Sequence, residues 1–370
     1  MRTWTIFSRR TMVATVAVAL AAVPTLALSQ PAAAATAANA HGAPAVSTQA
    51  WQSGQAQYGA GATAAQAVEA YWTPARMRAA RVIEDSPAYL TAVSRYEQAQ
   101  RASAARGGTA APQRSAPKAP AHSVAPQAGS VAGRAVPAAT DPGFAYWQPT
   151  ARTSGKVFFT MNGLNYQCSG TIVNSEGADT VWTAGHCVHG GQGGSWAYNW
   201  QFVPAYDDDL ADPRPYGTWT AWQLWSKGAW VGSSDFSADM GVALMNTRSG
   251  WHIVNYLGGQ GLRVNIGSQV YDYAFGYPAE WPFDGGNLYR CQGWSSAEWS
   301  VGWWWSQTIK IPCDMTRGSS GGGWLNGWDG NWGYLNGLNS RIDRILNPTI
   351  MLSPYFDDDA WSLYNSTRYL

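Results

Sequence analysis

From Phe144 onward the chain is built of short runs of Val, Ile, Phe, Tyr, Trp and Thr, each soon broken by Gly, Asn, Asp or Pro. β-Branched and aromatic side chains suit a pleated, half-buried surface, and frequent breakers stop each strand early. The runs predict strands at Lys156–Met161, Tyr166–Val173, Thr180–Ala184, Trp196–Val203, Thr218–Trp225, Gly241–Met245, Gln269–Phe275, Leu288–Trp294, Thr308–Ile311 and Gly333–Leu338. Helical periodicity is nearly absent, apart from a short helix expected at Tyr355–Tyr364. Many short strands separated by turns mean an all-β sandwich or barrel. Residues 144–370 are enough to build a core of two-barrel size.

The first 143 residues have a different texture. They hold only 3 of the 22 tryptophans and carry a net charge of +7, against −6 for residues 144–370. Arg2, Arg9 and Arg10 precede an apolar run from Met12 to Leu28, followed by small residues at Ala27-Leu28-Ser29 and Ala33-Ala34-Ala35. This is the layout of a secretory signal peptide over 1–35. Ser8-Arg9-Arg10 also resembles a twin-arginine export signal. A membrane anchor is the rival reading, but the run is Ala-rich, broken by Pro24 and short of the ~20 residues a span needs.

Residues 36–143 are rich in Ala, Gln, Pro and Gly, with helices permitted at 75–82 and 89–100. The Pro/Ala/Ser/Gly stretch at 102–142 reads as a flexible linker, and His41 and His122 as solvated. A basic segment between a signal peptide and an acidic domain is expected to be a proregion that docks on that domain. A spacer with no such role is the alternative. No basic patch stands out in 144–370, so nucleic acid is not an expected partner. No membrane contact is expected once the signal is removed.

The four cysteines, Cys168, Cys187, Cys291 and Cys313, allow three pairings. Their spacing favours two local loops, Cys168–Cys187 and Cys291–Cys313, with free core thiols as the alternative. Export favours the disulfides, because thiols oxidise outside the cytosol.

Arg317-Gly318-Ser319-Ser320-Gly321-Gly322-Gly323 places a serine among glycines. Alone it reads as a loop. A nucleophile loop is the sharper reading, since a neutral serine needs a base, an orienting carboxylate and donors for the developing oxyanion. The candidate base is His186 in Thr183-Ala184-Gly185-His186-Cys187. His189, three residues on and before two glycines, reads as exposed loop, and His252 as a surface or packing residue.

Ser169-Gly170-Thr171-Ile172-Val173, Thr183-Ala184-Gly185-His186-Cys187-Val188 and Gly318-Ser319-Ser320-Gly321-Gly322, in that order, resemble the chymotrypsin-fold serine peptidases. The nearest likeness is to their secreted bacterial trypsin-like and glutamyl-endopeptidase-like branch. The resemblance spans essentially all of 144–370. It implies a double β-barrel with a short C-terminal helix, a secreted endopeptidase acting on polypeptides, and no cofactor or metal. It implies Ser320 as nucleophile, His186 as base and acid, Asp239 of Ala238-Asp239-Met240-Gly241 as orienter, with Asp235 its rival, and an oxyanion hole at the Gly318 and Ser320 N–H groups. It also matches Cys168–Cys187 to the staple of the histidine loop. A monomer is expected. An esterase with the same residues, or an inactive relative that binds a polymer through its tryptophans, are the alternatives.

Departures from the family pattern matter. Ser319 stands where animal enzymes carry an Asp that pairs with a freed N-terminal amine, so any activation should work by removing a covering or chaperoning segment. Gly323 stands where Pro is common, and Cys313 lies farther from Ser320 than in those enzymes. Asp314 falls by offset where a trypsin-like pocket keeps its carboxylate, or else bonds local backbone. Arg317, Asn339, Ser340 and Arg341 are further candidates for contacting a substrate side chain. Trp299, Trp303, Trp304, Trp305, Trp324, Trp328 and Trp332 are either core or an aromatic binding surface. Asp207, Asp208, Asp209 and Asp212 read as a solvated acidic loop, with Ca²⁺ as the alternative.

Overall fold

The computed structural model describes residues 44–47, 63–105, 119–131, 144–298, 308–343 and 349–370. The signal-peptide stretch, His41 and the tryptophans at 299 and 303–305 lie outside the described residues. All ten strands expected from the sequence are present, each end within two residues of its expected place. The C-terminal helix lies at Asp358–Thr367, and Asp357 caps it by accepting from the Asp359 N–H at 2.9 Å.

Six strands close the first barrel: Trp219–Lys227, Gly241–Met245, Thr180–Thr183, Leu164–Ile172, Ser154–Met161 and Tyr198–Pro204, the last pairing back to the first. Its interior holds Val157, Phe159, Val181, Phe202, Leu224 and Ala243, all fully buried. The second half is a six-stranded and a four-stranded sheet. A second core of Ala274, Ile309, Ile311, Trp324 and Met351 lies between them, beside the Cys291–Cys313 disulfide. Three strands here carried no clear pattern in the sequence: Gly261–Val264, Gly323–Asn326 and Ile350–Pro354. All three begin or end at a breaker, Gly261, Gly323 and Pro354, which hides so short a run.

The described parts of the Ala-rich region are built into this body, and Ala37–Leu370 forms one compact unit. Strand Pro44–Ser47 pairs with Trp219–Lys227, and His122–Val124 pairs with Gly261–Val264. Residues 119–131 thus form strands within a stretch whose composition reads as linker. His122 is half-buried and stacks on Trp361 with centroids 4.7 Å apart, so it is not the solvated histidine expected. Helices span Ala64–Tyr71, Pro74–Arg78 and Pro87–Ala105. Trp72, fully buried, donates from Nε1 to the Asn199 carbonyl at 2.6 Å and joins the main core with Met77 and Ile83. Among the described residues no helix is long and apolar enough to cross a membrane.

Candidate active site

The site lies where the two halves meet, and its side chains sit in turns and loops next to strand ends. Strand Thr180–Thr183 ends at Ala184, and one 3₁₀ turn, Gly185–Cys187, presents His186. The Cys168–Cys187 disulfide ties that turn to the neighbouring strand. Asp239 immediately precedes strand Gly241–Met245, which pairs directly with Thr180–Thr183. That pairing brings the two residues together across 53 positions of sequence.

Asp239 is fully buried and accepts three hydrogen bonds. Its Oδ2 takes His186 Nδ1 at 2.8 Å and Ser340 Oγ at 2.6 Å, and its Oδ1 takes the His186 backbone N–H at 2.8 Å. Burial alone pulls the His186 imidazole down, but Asp239 and the nearby Glu84 carboxylate outweigh it and hold the ring above its usual range. Asp235 is occupied elsewhere, capping the turn Phe236–Ala238 through the Ser237 N–H and Oγ.

Ser320 sits in a loop whose backbone is held on both sides. Its carbonyl accepts from the Ser169 N–H at 2.7 Å, and the Gly321 N–H donates to the Asn339 carbonyl at 2.7 Å. Gly318 and Gly321 have φ of +95° and +83°, where a side chain is strained. A Cβ on Gly321 would also stand 2.1 Å from Thr183 Oγ1. Ser319 Oγ donates to the Thr316 carbonyl at 2.8 Å, so the uncharged residue closes a local turn. The Gly323 N–H donates to Thr171 Oγ1 at 3.1 Å, a bond that Pro could not make.

Glu84, from the Ala-rich region, reaches this loop. Its Oε1 accepts from Ser320 Oγ at 2.6 Å and from the Gly318 N–H at 3.1 Å. Tyr89 lies edge-on to the His186 ring at 4.8 Å and donates from its hydroxyl to the Ser340 carbonyl at 3.3 Å. The sequence reading missed both. The signal was there: Glu84 and Asp85 are two of only five acidic residues in the first 143.

Among the other sequence candidates, Arg317 lies at the lip of the site, paired with Asp85 and Glu280. Asn339 is not available to a substrate. Its side chain is fully buried, donating to the Phe275 and Ser319 carbonyls and accepting from Trp324 Nε1. Ser340 supports Asp239 rather than offering its hydroxyl to a ligand. Arg341 is paired with Glu298 under the ring of Tyr96. Asp314 is exposed beside the Cys291–Cys313 disulfide, its side chain facing out between the buried Cys313 and Met315.

His189, expected in an exposed loop, is buried. Its Nδ1 accepts from the Gly191 N–H at 3.1 Å, and burial pushes the ring down to about 4. His252 pairs with Asp179 at 2.6 Å. Trp324 and Trp328 are packing residues, and the acidic loop spends its charges locally, Asp208 on Arg78 and Asp212 on Arg214. Among the described residues the one grouping tight enough for a metal is Cys168, His186 and Cys187, whose sulfurs are joined to each other.

No family model matches this chain, and no curated protein does. Solved structures do. A thermostable serine protease, AL20, from an extremophilic microorganism is 37% identical over 59% of this chain and 97% of its own, with a TM-score of 0.54. The chain belongs to the chymotrypsin-like serine proteases. The protease Anisep from Arthrobacter nicotinovorans is 36% identical over 60% of this protease and 98% of its own length, again with a TM-score of 0.54. Both Cys pairs expected of this protease from spacing, Cys168–Cys187 and Cys291–Cys313, are present as disulfides.

Proposed function

We propose that this serine protease is a secreted endopeptidase that cleaves polypeptides through a Ser320–His186–Asp239 triad. The division is a signal peptide over 1–35, a proregion over 36–143 and a peptidase domain over 144–370. One observation carries the reading. A buried carboxylate grips both the backbone and the ring of His186, and Ser320 Oγ and the Gly318 N–H beside it converge on a single oxygen.

The chemistry follows from that arrangement. Asp239 holds the proton on Nδ1, which leaves the Nε2 lone pair for the Ser320 hydroxyl. As Oγ bonds to the scissile carbonyl carbon, its proton passes to Nε2 and the carbonyl oxygen takes the negative charge. The Gly318 and Ser320 N–H groups receive that charge. Collapse breaks the C–N bond, and Nε2 returns the proton to the leaving amine. Water then repeats the sequence on the acyl-enzyme, with His186 as base and Ser320 as leaving group. The two disulfides suit an oxidising compartment, which supports export.

The test is hydrolysis of an unbiased peptide mixture by the matured protein beside its Ser320→Ala variant, read by mass spectrometry. Internal cleavages made only by the protein with Ser320 are expected. Equal cleavage by both, or ester turnover without amide turnover, overturns the reading.

A further inference from the structure

We propose that residues 81–96 lie in the substrate cleft as an intramolecular inhibitor, with the Glu84 carboxylate seated where the reacting carbonyl oxygen would sit. This rests on the reading of Ser320 as nucleophile. The segment is anchored at both ends of the cleft. Arg81 and Val82 pair in parallel with Tyr166 and Gln167, the two residues before Cys168, and Ile83 is buried in the main core. Beyond Glu84, Asp85 pairs with Arg317. Ser86 then caps helix Pro87–Ala105, its Oγ accepting from the Tyr89 N–H at 3.2 Å. The helix lays Tyr89 against His186 and Phe236, and Tyr96 against Phe236 and Arg341.

Three features make this an inhibitor and not a substrate. Glu84 meets Ser320 Oγ and the Gly318 N–H with a side-chain oxygen. A carboxylate has no leaving group, so attack on it breaks no chain bond. Secondly, the Ser320 hydroxyl donates to Glu84, and His186 Nε2 is buried with no hydrogen-bond partner among the described residues, so the base and the nucleophile are uncoupled. Thirdly, Glu84 is itself 4% exposed and its Oε2 has no partner among the described residues. A half-satisfied buried carboxylate holds only while the flanking anchors keep it there, which suits a contact meant to be released.

The experiment uses the full chain and a fluorescent phosphonate that reacts with activated serines. Wild type, Glu84→Ala, Glu84→Gln, Ser320→Ala and wild type nicked by limited proteolysis are labelled in parallel, with thermal unfolding run on each. Glu84→Ala is expected to label about tenfold faster than wild type or more, the scale of one charge-assisted hydrogen bond. Glu84→Gln keeps the shape without the charge and should fall between, and it serves alone if the Ala variant does not fold. Equal, ready labelling of wild type, nicked wild type and both folded Glu84 variants, lost in Ser320→Ala, overturns the inhibitor and leaves the protease reading standing. No labelling even of nicked protein, or labelling of Ser320→Ala, brings down both.

Discussion

Replacing Asp239 with Asn should separate stability from turnover, and the geometry says how. The carboxylate accepts three hydrogen bonds, two on Oδ2 and one on Oδ1. An amide must turn its NH₂ to one side. The Oδ1 side faces the His186 backbone N–H, which can only donate, so an NH₂ there would leave two donors opposed. The Oδ2 side faces Ser340 Oγ, which can rotate to accept, and His186 Nδ1, which can accept in its other tautomer. Asn therefore settles with NH₂ towards Nδ1. The number of bonds is kept and only their charge assistance is lost, a stability cost of about 1–2 kcal/mol. The imidazole is then locked with its proton on Nε2, facing Ser320, and cannot take the serine proton. In the family template for this triad the equivalent change lowers turnover about 10⁴-fold. The assay is peptide hydrolysis and phosphonate labelling by the matured variant, with urea unfolding alongside. A folded Asp239→Asn variant within tenfold of wild-type turnover would falsify the orienting role.

Other expectations follow from the same interactions. Because His186 is held above its usual range in the folded chain, its contribution is full below about pH 6.5 and is lost as pH rises through the folded value. In Asp239→Asn, urea midpoints measured across that window should lose this fall; an unchanged slope would refute the assignment. Asp272, fully buried, is pushed up to about 7 by burial, with Asn336 and Ser295 pulling weakly the other way. An acid raised in this way costs stability progressively as pH rises from 3.8 to about 7, and the full cost applies above that, so Asp272→Asn should be stabilising at pH 8, by up to about 4 kcal/mol. A destabilised variant at pH 8 would show that Asp272 is charged and satisfied. Gly321→Ala sets a Cβ 2.1 Å from Thr183 Oγ1 at φ +83° and should cost about 3 kcal/mol or prevent folding, where a fully stable variant would contradict the backbone placement. Replacing Cys168 and Cys187 by Ser should lower stability by about 3 kcal/mol, read from denaturant midpoints.

The segments of the proposed triad were legible because each is local. Thr180–Thr183 leads straight into His186, Asp239 leads straight into Gly241–Met245, and the glycines flank Ser320 within one loop. Spacing also selected the two disulfide pairs, since a loop of about 20 residues closes cheaply. The misreadings have one common cause: a side chain's surroundings come from residues distant in sequence. His189 looks like loop because Gly190 and Gly191 follow it, yet Trp196 and Trp230 bury it. Asn339 looks like a pocket donor, but its amide is consumed by Phe275, Ser319 and Trp324. Asp314 sits at the right offset, but its side chain faces out between the buried Cys313 and Met315.

The sequence by itself determined the strand pattern, the order of the three site motifs, the disulfides and the kind of protease the chain makes. Those properties rest on local periodicity, on residue chemistry and on spacing along the chain. Only the tertiary structure decided what meets what. Glu84 lies 236 positions from Ser320, and neither residue's neighbours encode the other. The strand pairing of Val82 with Gln167 and the burial of Ile83 bring them together. A hydrogen bond between residues so far apart in sequence exists only once the fold has met the entropy cost of closing that loop.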